Sequence, residues 1–327
     1  MMKQLELHSN CTDLYLLDGR LIKNLNGIFF LDSHTVDGLS SRYDLHSFDS
    51  APHYTQNSTL FHFPANALAP EVVLQLTGEV SIYRFSDDLF LCHERLSRKE
   101  LKYTLVDKTG TVYWKQVADK TVRHIANKLL VRNRLSNRNG EFWLHDQHGK
   151  ELFHHQLPEG FTFREVDVID DVLFLESWKG GNEVMRLTGL NANTGELLWK
   201  REYSIPYRTN CIVSTREGKL YYGLSQKYFQ ILNPVTGEFV VNISVEGMFP
   251  KGVAPEVNLQ SIQDGKLWFV SGRGPDACFG CFDIEARSLD FIQQHPLEGD
   301  DIFDTPIFHE GKLYLRTKFE KLLYVLE

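Results

Sequence analysis

Cys278-Phe279-Gly280-Cys281 is the one Cys-x-x-Cys spacing in the chain, a pattern that serves zinc binding or thiol exchange. Residues three apart in a regular strand point to opposite faces, and no second Cys pair or Cys/His pair stands at zinc spacing, so two ordinary buried cysteines are expected. His145, His148, His154 and His155 fall within eleven residues, but they flank a tight turn and no carboxylate pattern completes a ligand set. Asp87-Asp88 and Asp170-Asp171 have the look of general acid/base pairs. They also occupy the turn of a repeating unit, where acidic residues serve turn chemistry. Gly272-Arg273-Gly274-Pro275-Asp276 is glycine-rich yet opens no helix, and Pro275 removes a donor, so it reads as a turn rather than a phosphate cradle. No nucleophile elbow, phosphate loop or His-Glu-x-x-His occurs. No catalytic, cofactor-binding or metal-binding residue is expected.

The elements that would carry these residues show themselves as a recurring turn before a short apolar run: Asn26-Gly27, Asp87-Asp88, Ala126-Asn127, Asp170-Asp171, Glu217-Gly218, Asp264-Gly265 and Glu310-Gly311. The turns are spaced 61, 39, 44, 47, 47 and 46 residues apart. A period in the forties with strand-like content is the signature of a β-propeller of the WD40-like kind. A second hairpin follows within most repeats, ending in a glycine and then a large apolar residue four places on. Examples are Gly110 with Trp114, Gly149 with Phe153, Gly195 with Trp199 and Gly237 with Val241. Arg287 stands where the sixth repeat should have glycine, which predicts a turn closed differently.

The expected fold is all-β: a single β-propeller domain over residues 1–327 with seven four-stranded blades. Only two strands remain after Gly311, so Gln4–His8 or Asp13–Leu17 is expected to complete the last blade and remove its exposed edge. Loss of residues 1–18 should then cost the whole fold. The 61-residue interval implies a long inter-blade insertion at about 47–79, read as a lid, an interaction arm or an added hairpin, with a disordered excursion as the alternative that its aromatics oppose.

Asn191-x-x-Thr194-Gly195-x-x-x-Trp199 resembles the repeat motif of the quinoprotein-like propeller superfamily, named for pyrroloquinoline quinone. The resemblance implies a propeller in which the tryptophan, here Trp114 and Trp199, docks one blade on the next. That family includes periplasmic dehydrogenases and an outer-membrane assembly lipoprotein. This chain departs from both: it shows no export signal, lipobox, adjacent cysteine pair or calcium-ligand cluster, so the resemblance carries the fold and not a quinone-dependent reaction.

Five scattered cysteines, the absence of an apolar leader in the first residues and of any long apolar run favour a cytosolic protein with reduced thiols. A formal net charge of −8 argues against nucleic acid as a partner, and nothing suggests a membrane. Function in a propeller gathers on the long connections. Apolar anchors beside acids would suit a basic protein partner: Met248 and Phe249, then Asp300, Asp301, Phe303 and Asp304, with Trp178 and Arg273 completing the set. The expected role is therefore a non-enzymatic protein-binding propeller, in its narrower form a bacterial immunity or antitoxin-type protein that neutralises a basic toxin domain. The alternative is an enzyme or small-ligand binder using the central channel, with Arg84, His124, Asp167 and Arg208 as inward groups.

Overall fold

A computed structural model describes residues 2–17, 20–26, 28–36, 45–48, 51–62, 71–86, 88–97, 100–118, 120–133, 140–179, 184–204, 212–216 and 218–327. Those residues form eight antiparallel sheets of four strands, and the helical content is one short 3-10 turn at Gly274–Asp276. Among the described residues no helix is long and apolar enough to cross a membrane.

Eight sheets replace the expected seven, and the cause lies at the start of the chain. Asn26 and residue 27 join the second and third strands of their sheet, Arg20–Leu25 and Ile28–Leu31, rather than its first and second. Counted instead by the start of each second strand, Arg20, Ala51 and Leu89 are 31 and 38 residues apart. The supposed insertion is a complete sheet, Leu45–Phe48, Ala51–Gln56, Thr59–His62 and Glu71–Gln75. Its strands are only four to six residues long and its last hairpin lacks the glycine-to-aromatic marker, so the repeat is faint there.

The chain divides into two compact units. The first comprises residues 1–37, 209–233 and 238–327. It holds the sheet Cys11–Val36, most of Ile212–Ser244, the sheet Gln260–Gln294, and a last sheet of Ile307–His309, Lys312–Arg316, Leu323–Leu326 and Gln4–His8. Gln4–His8 runs antiparallel to Leu323–Leu326, so of the two candidates for the completing strand it is the first that serves. Between the last two sheets of this unit, Trp268, Phe279, Cys281, Leu313, Leu315 and Leu326 pack in one cluster.

The second unit comprises residues 38–208 and 234–237 and holds the four sheets that span 45–75, 80–118, 120–156 and 161–204. Phe142, Leu144, Leu173 and Leu175 are buried between its last two sheets. Here the marker residues show their purpose. Trp199 donates its indole N–H to the carbonyl of Pro234 at 2.9 Å and lies flat on Gly237, where an added Cβ would stand 2.4 Å from the ring. Trp114 covers Gly149 and Phe153 covers Gly195 in the same way. The glycine serves twice: it takes a positive φ, +70° at Gly237, and it leaves room for the ring.

Six sheets carry a register shift in the hairpin of their third and fourth strands, for example between Gly189 and Leu190 and between Cys281 and Phe282. At the sixth repeat, Arg287 adopts φ +54° itself, so the turn closes through a left-handed residue as the others do, contrary to the expectation.

Candidate functional site

The connections that follow second and fourth strands in the first unit form a fixed rim. Residues 245–259 are tied down first. Val253 N–H donates to the Pro250 carbonyl, Ala254 N–H to Ser271 Oγ at 2.9 Å, and Glu256 N–H to the Val270 carbonyl at 2.9 Å. The buried Gln260 amide both accepts from and donates to the Leu224 backbone at 2.7 Å, locking the neighbouring connection 223–227. Burying such a polar group without these partners would be costly, so the amide specifies the loop path.

Residues 272–277 and 295–306 close on each other through backbone alone. Gly274 N–H donates to the Asp301 carbonyl at 2.8 Å and Leu297 N–H to the Gly274 carbonyl at 2.8 Å. A Cβ on Gly274 would stand 2.2 Å from the Gly299 carbonyl oxygen, so only glycine allows this approach. Under the loop, the His295 ring packs edge-on against Tyr324 at 4.6 Å and beside Phe303 at 5.6 Å. Burial pushes the imidazole pKa down, which keeps it a neutral packing group.

Asp301 organises the next connection, 317–322. Its Oδ1 accepts from the N–H of Ile302 at 2.8 Å and of Phe319 at 3.0 Å, and its Oδ2 accepts from Glu320 at 3.1 Å. Burial works to raise this carboxyl, but the hydrogen bonds outweigh it and hold the pKa below the ordinary value. Asp304 follows the same logic. Burial opposes ionisation, while the Arg316 guanidinium and the Thr305 N–H prevail and hold its pKa below the ordinary value.

The residues expected to meet a partner therefore divide. Met248 is 37% exposed, and Asp300 and Arg273 are exposed. Phe249 is half-buried, edge-on to Phe269 at 5.8 Å. Asp301 is buried and spent on backbone N–H groups, Asp304 is half-buried against Arg316, and Phe303 is a core residue at 2% exposure. Trp178 is buried in the second unit and donates its indole N–H to Glu176 at 3.1 Å. The most exposed large apolar residue of the rim is Phe319, at 66%, which sequence reasoning passed over. Its signal was an aromatic set among charges, Lys318-Phe319-Glu320-Lys321.

The other chemical groups are committed to packing. Cys278 and Cys281 belong to different clusters, and burial pushes both thiols up, Cys281 to about 12. His145 meets the Gly149 carbonyl at 3.0 Å, while His154 pairs with Glu141 at 2.9 Å and stacks on Trp143 at 4.8 Å. Among the described residues no three His, Cys, Asp or Glu side chains gather as a metal would need. Of the groups expected to face inward, His124 is exposed, its imidazole pKa held down by desolvation against an opposing pull from Asp167, and the side chains of Arg84 and Arg208 lie outside the described residues. In the second unit a shallow cavity of about 390 Å³ opens between turns, lined by Asp88, Asp107, Lys108, Tyr113 and His148 among others. Asp107 already accepts from both Thr109 groups, Thr111 and Tyr113, and Asp88 pairs with Lys108 of the facing turn, so these charges are engaged with one another at the surface.

No family model and no curated protein matches this sequence. Solved structures do. The computationally designed Ika8 protein superposes with a TM-score of 0.58 at 14% identity over 98% of both chains. The C-terminal WD40 domain of Sif2 gives 0.56 at 10% identity over 100% of this chain and 98% of its own. BamB from Moraxella catarrhalis gives 0.47 at 12% identity over 100% and 98%. At such identities the likeness reaches the fold alone, and the fold is an all-β β-propeller.

Proposed function

We propose that this chain is a protein-binding β-propeller that docks a basic partner on the rim built from residues 245–259, 272–277, 295–306 and 317–322. The observation that carries the reading is the rim's construction: loops this long are held by backbone and buried side-chain hydrogen bonds while Met248, Arg273, Asp300 and Phe319 face solvent. Rigid loops that display apolar groups lose little entropy on docking. Carboxylates at Glu298, Asp300 and Glu320 supply the field that steers a cationic partner. An immunity-type role against a basic toxin domain is the narrower form of the same proposal.

Affinity capture from the native organism tests it, comparing the wild type with Met248→Ala/Asp300→Lys and with Glu285→Lys, an exposed turn residue away from the rim. One stoichiometric partner, lost only in the rim variant, is the expected result. Equal recovery in both variants would defeat the reading. For the narrower form, co-expression with a toxin encoded beside the gene should protect the host, and absence of protection removes it.

A further inference from the structure

The connection 317–322 is tied at nearly every backbone group. Thr317 N–H donates to the Leu322 carbonyl at 2.8 Å, and the buried Thr317 hydroxyl oxygen accepts from Leu322 N–H at 3.0 Å. Lys318 N–H donates to the Ile302 carbonyl at 2.9 Å, and the next two N–H groups reach the Asp301 carboxylate. Lys321 takes a left-handed φ of +55°, and its carbonyl accepts from Cys11 N–H at 2.7 Å. A turn so constrained has every means to fold its one aromatic inward. Phe319 instead stands at 66% exposure, the highest of the large apolar residues found exposed, beside a core whose own aromatics at Phe279 and Phe303 are sealed.

The surroundings carry a sign. Glu298, Asp300 and Glu320 are exposed, and the charges of Asp301 and Glu298 reach Tyr324, where after burial they raise the phenol pKa further. Lys318 and Lys321 offset part of this on the same turn. A knob of fixed geometry set in a net acidic surround complements an apolar pocket bordered by Lys and Arg.

Resting on the protein-binding reading above, we propose that Phe319 is the anchor that enters such a pocket on a protein partner, and that Asp301 is the positioning residue that aims it. Replacing Phe319 by the photoreactive p-benzoylphenylalanine in the full chain should give an adduct whose cross-linked peptide is apolar with flanking Lys or Arg. No adduct overturns the inference. With that partner purified, Phe319→Ala should weaken binding about 30-fold or more while Phe319→Tyr stays within about threefold. Asp301→Asn should weaken it about tenfold while speeding hydrogen exchange at 317–322. Raising salt from about 50 to about 500 mM should weaken the wild-type complex.

If Met248→Ala/Asp300→Lys abolishes capture and Phe319→Ala does not, the rim reading stands and the anchor is elsewhere. If neither variant matters, both fail. Sedimentation of the wild type, but not of Phe319→Ala, with phosphatidylglycerol/phosphatidylcholine vesicles would overturn the protein partner in favour of a lipid surface.

Discussion

A carboxylate at 4% exposure needs compensation, and Asp301 receives it from three backbone N–H groups and the Thr317 hydroxyl rather than from a cation. Removing it by Asp301→Ala leaves those donors unpaired and should cost about 2–3 kcal/mol, read as a fall in the denaturation midpoint. An unchanged midpoint would show that water replaces the carboxylate without loss. Asp107 is the exposed counterpart, its pKa lowered to about 2, chiefly by the Thr109 hydroxyl. A depressed carboxyl contributes stability above its unfolded pKa of about 3.9 and loses it as pH falls through the folded value. Wild-type stability should therefore drop between about pH 4 and pH 2, and Asp107→Asn should flatten that part of the profile. Equal slopes in the two proteins would refute the assignment. These two residues also show what sequence could and could not reveal about the site. Asp300, Asp301 and Asp304 look alike in a string of letters, but one faces solvent, one caps a turn and one holds Arg316. Phe303 and Phe319 differ only in whether the chain around them turns inward. Both distinctions are made by hydrogen bonds between connections distant in sequence, which no local pattern records.

The hairpin of the third and fourth strands is the element on which the repeat is written. Its glycine and its large apolar residue four places on were legible because one local geometry demands both, and Trp114, Phe153 and Trp199 each rest on the glycine of the following hairpin. The first two sheets were not legible: the strands of their third-and-fourth hairpins are only three to five residues long, so a marker turn of the wrong hairpin stood in for them and one sheet passed as an insertion. Gly237→Ala tests the docking directly. It meets both an unfavourable φ and the Trp199 ring at 2.4 Å, and should cost about 2–4 kcal/mol, above the about 1–2 kcal/mol of backbone strain alone. Arg287→Gly is the reciprocal experiment. The strain at φ +54° is relieved, but glycine adds freedom to the unfolded chain, so a gain of at most about 1 kcal/mol is expected. A loss of stability there would mean that the Arg287 side chain, and not its backbone, secures the turn.

At the scale of the whole molecule, the question is what happens where the chain's two ends meet. Lys3 and Glu327 exchange both backbone hydrogen bonds, at 2.7 and 2.9 Å, and the Met2 backbone is held by the Gln293 amide of the adjacent sheet. Leu5 and Leu7 are 42% and 51% exposed, so the strand Gln4–His8 contributes pairing rather than burial. Its absence would leave Leu323–Leu326 as an edge, and three of those four residues are buried. An apolar strand with open hydrogen-bonding groups templates association with other chains. Deleting residues 2–8 should thus produce a protein that folds in part and aggregates on concentration, seen as high-mass species in size-exclusion chromatography with a lowered and irreversible thermal transition. Leu5→Ser/Leu7→Ser keeps the backbone pairing and should remain within about 0.5 kcal/mol of the wild type. If the double serine variant aggregated as the deletion does, the strand would be acting through its side chains. If the deletion stayed monomeric with an unchanged transition, the remaining three strands would suffice and the N-terminal strand would be dispensable to the fold.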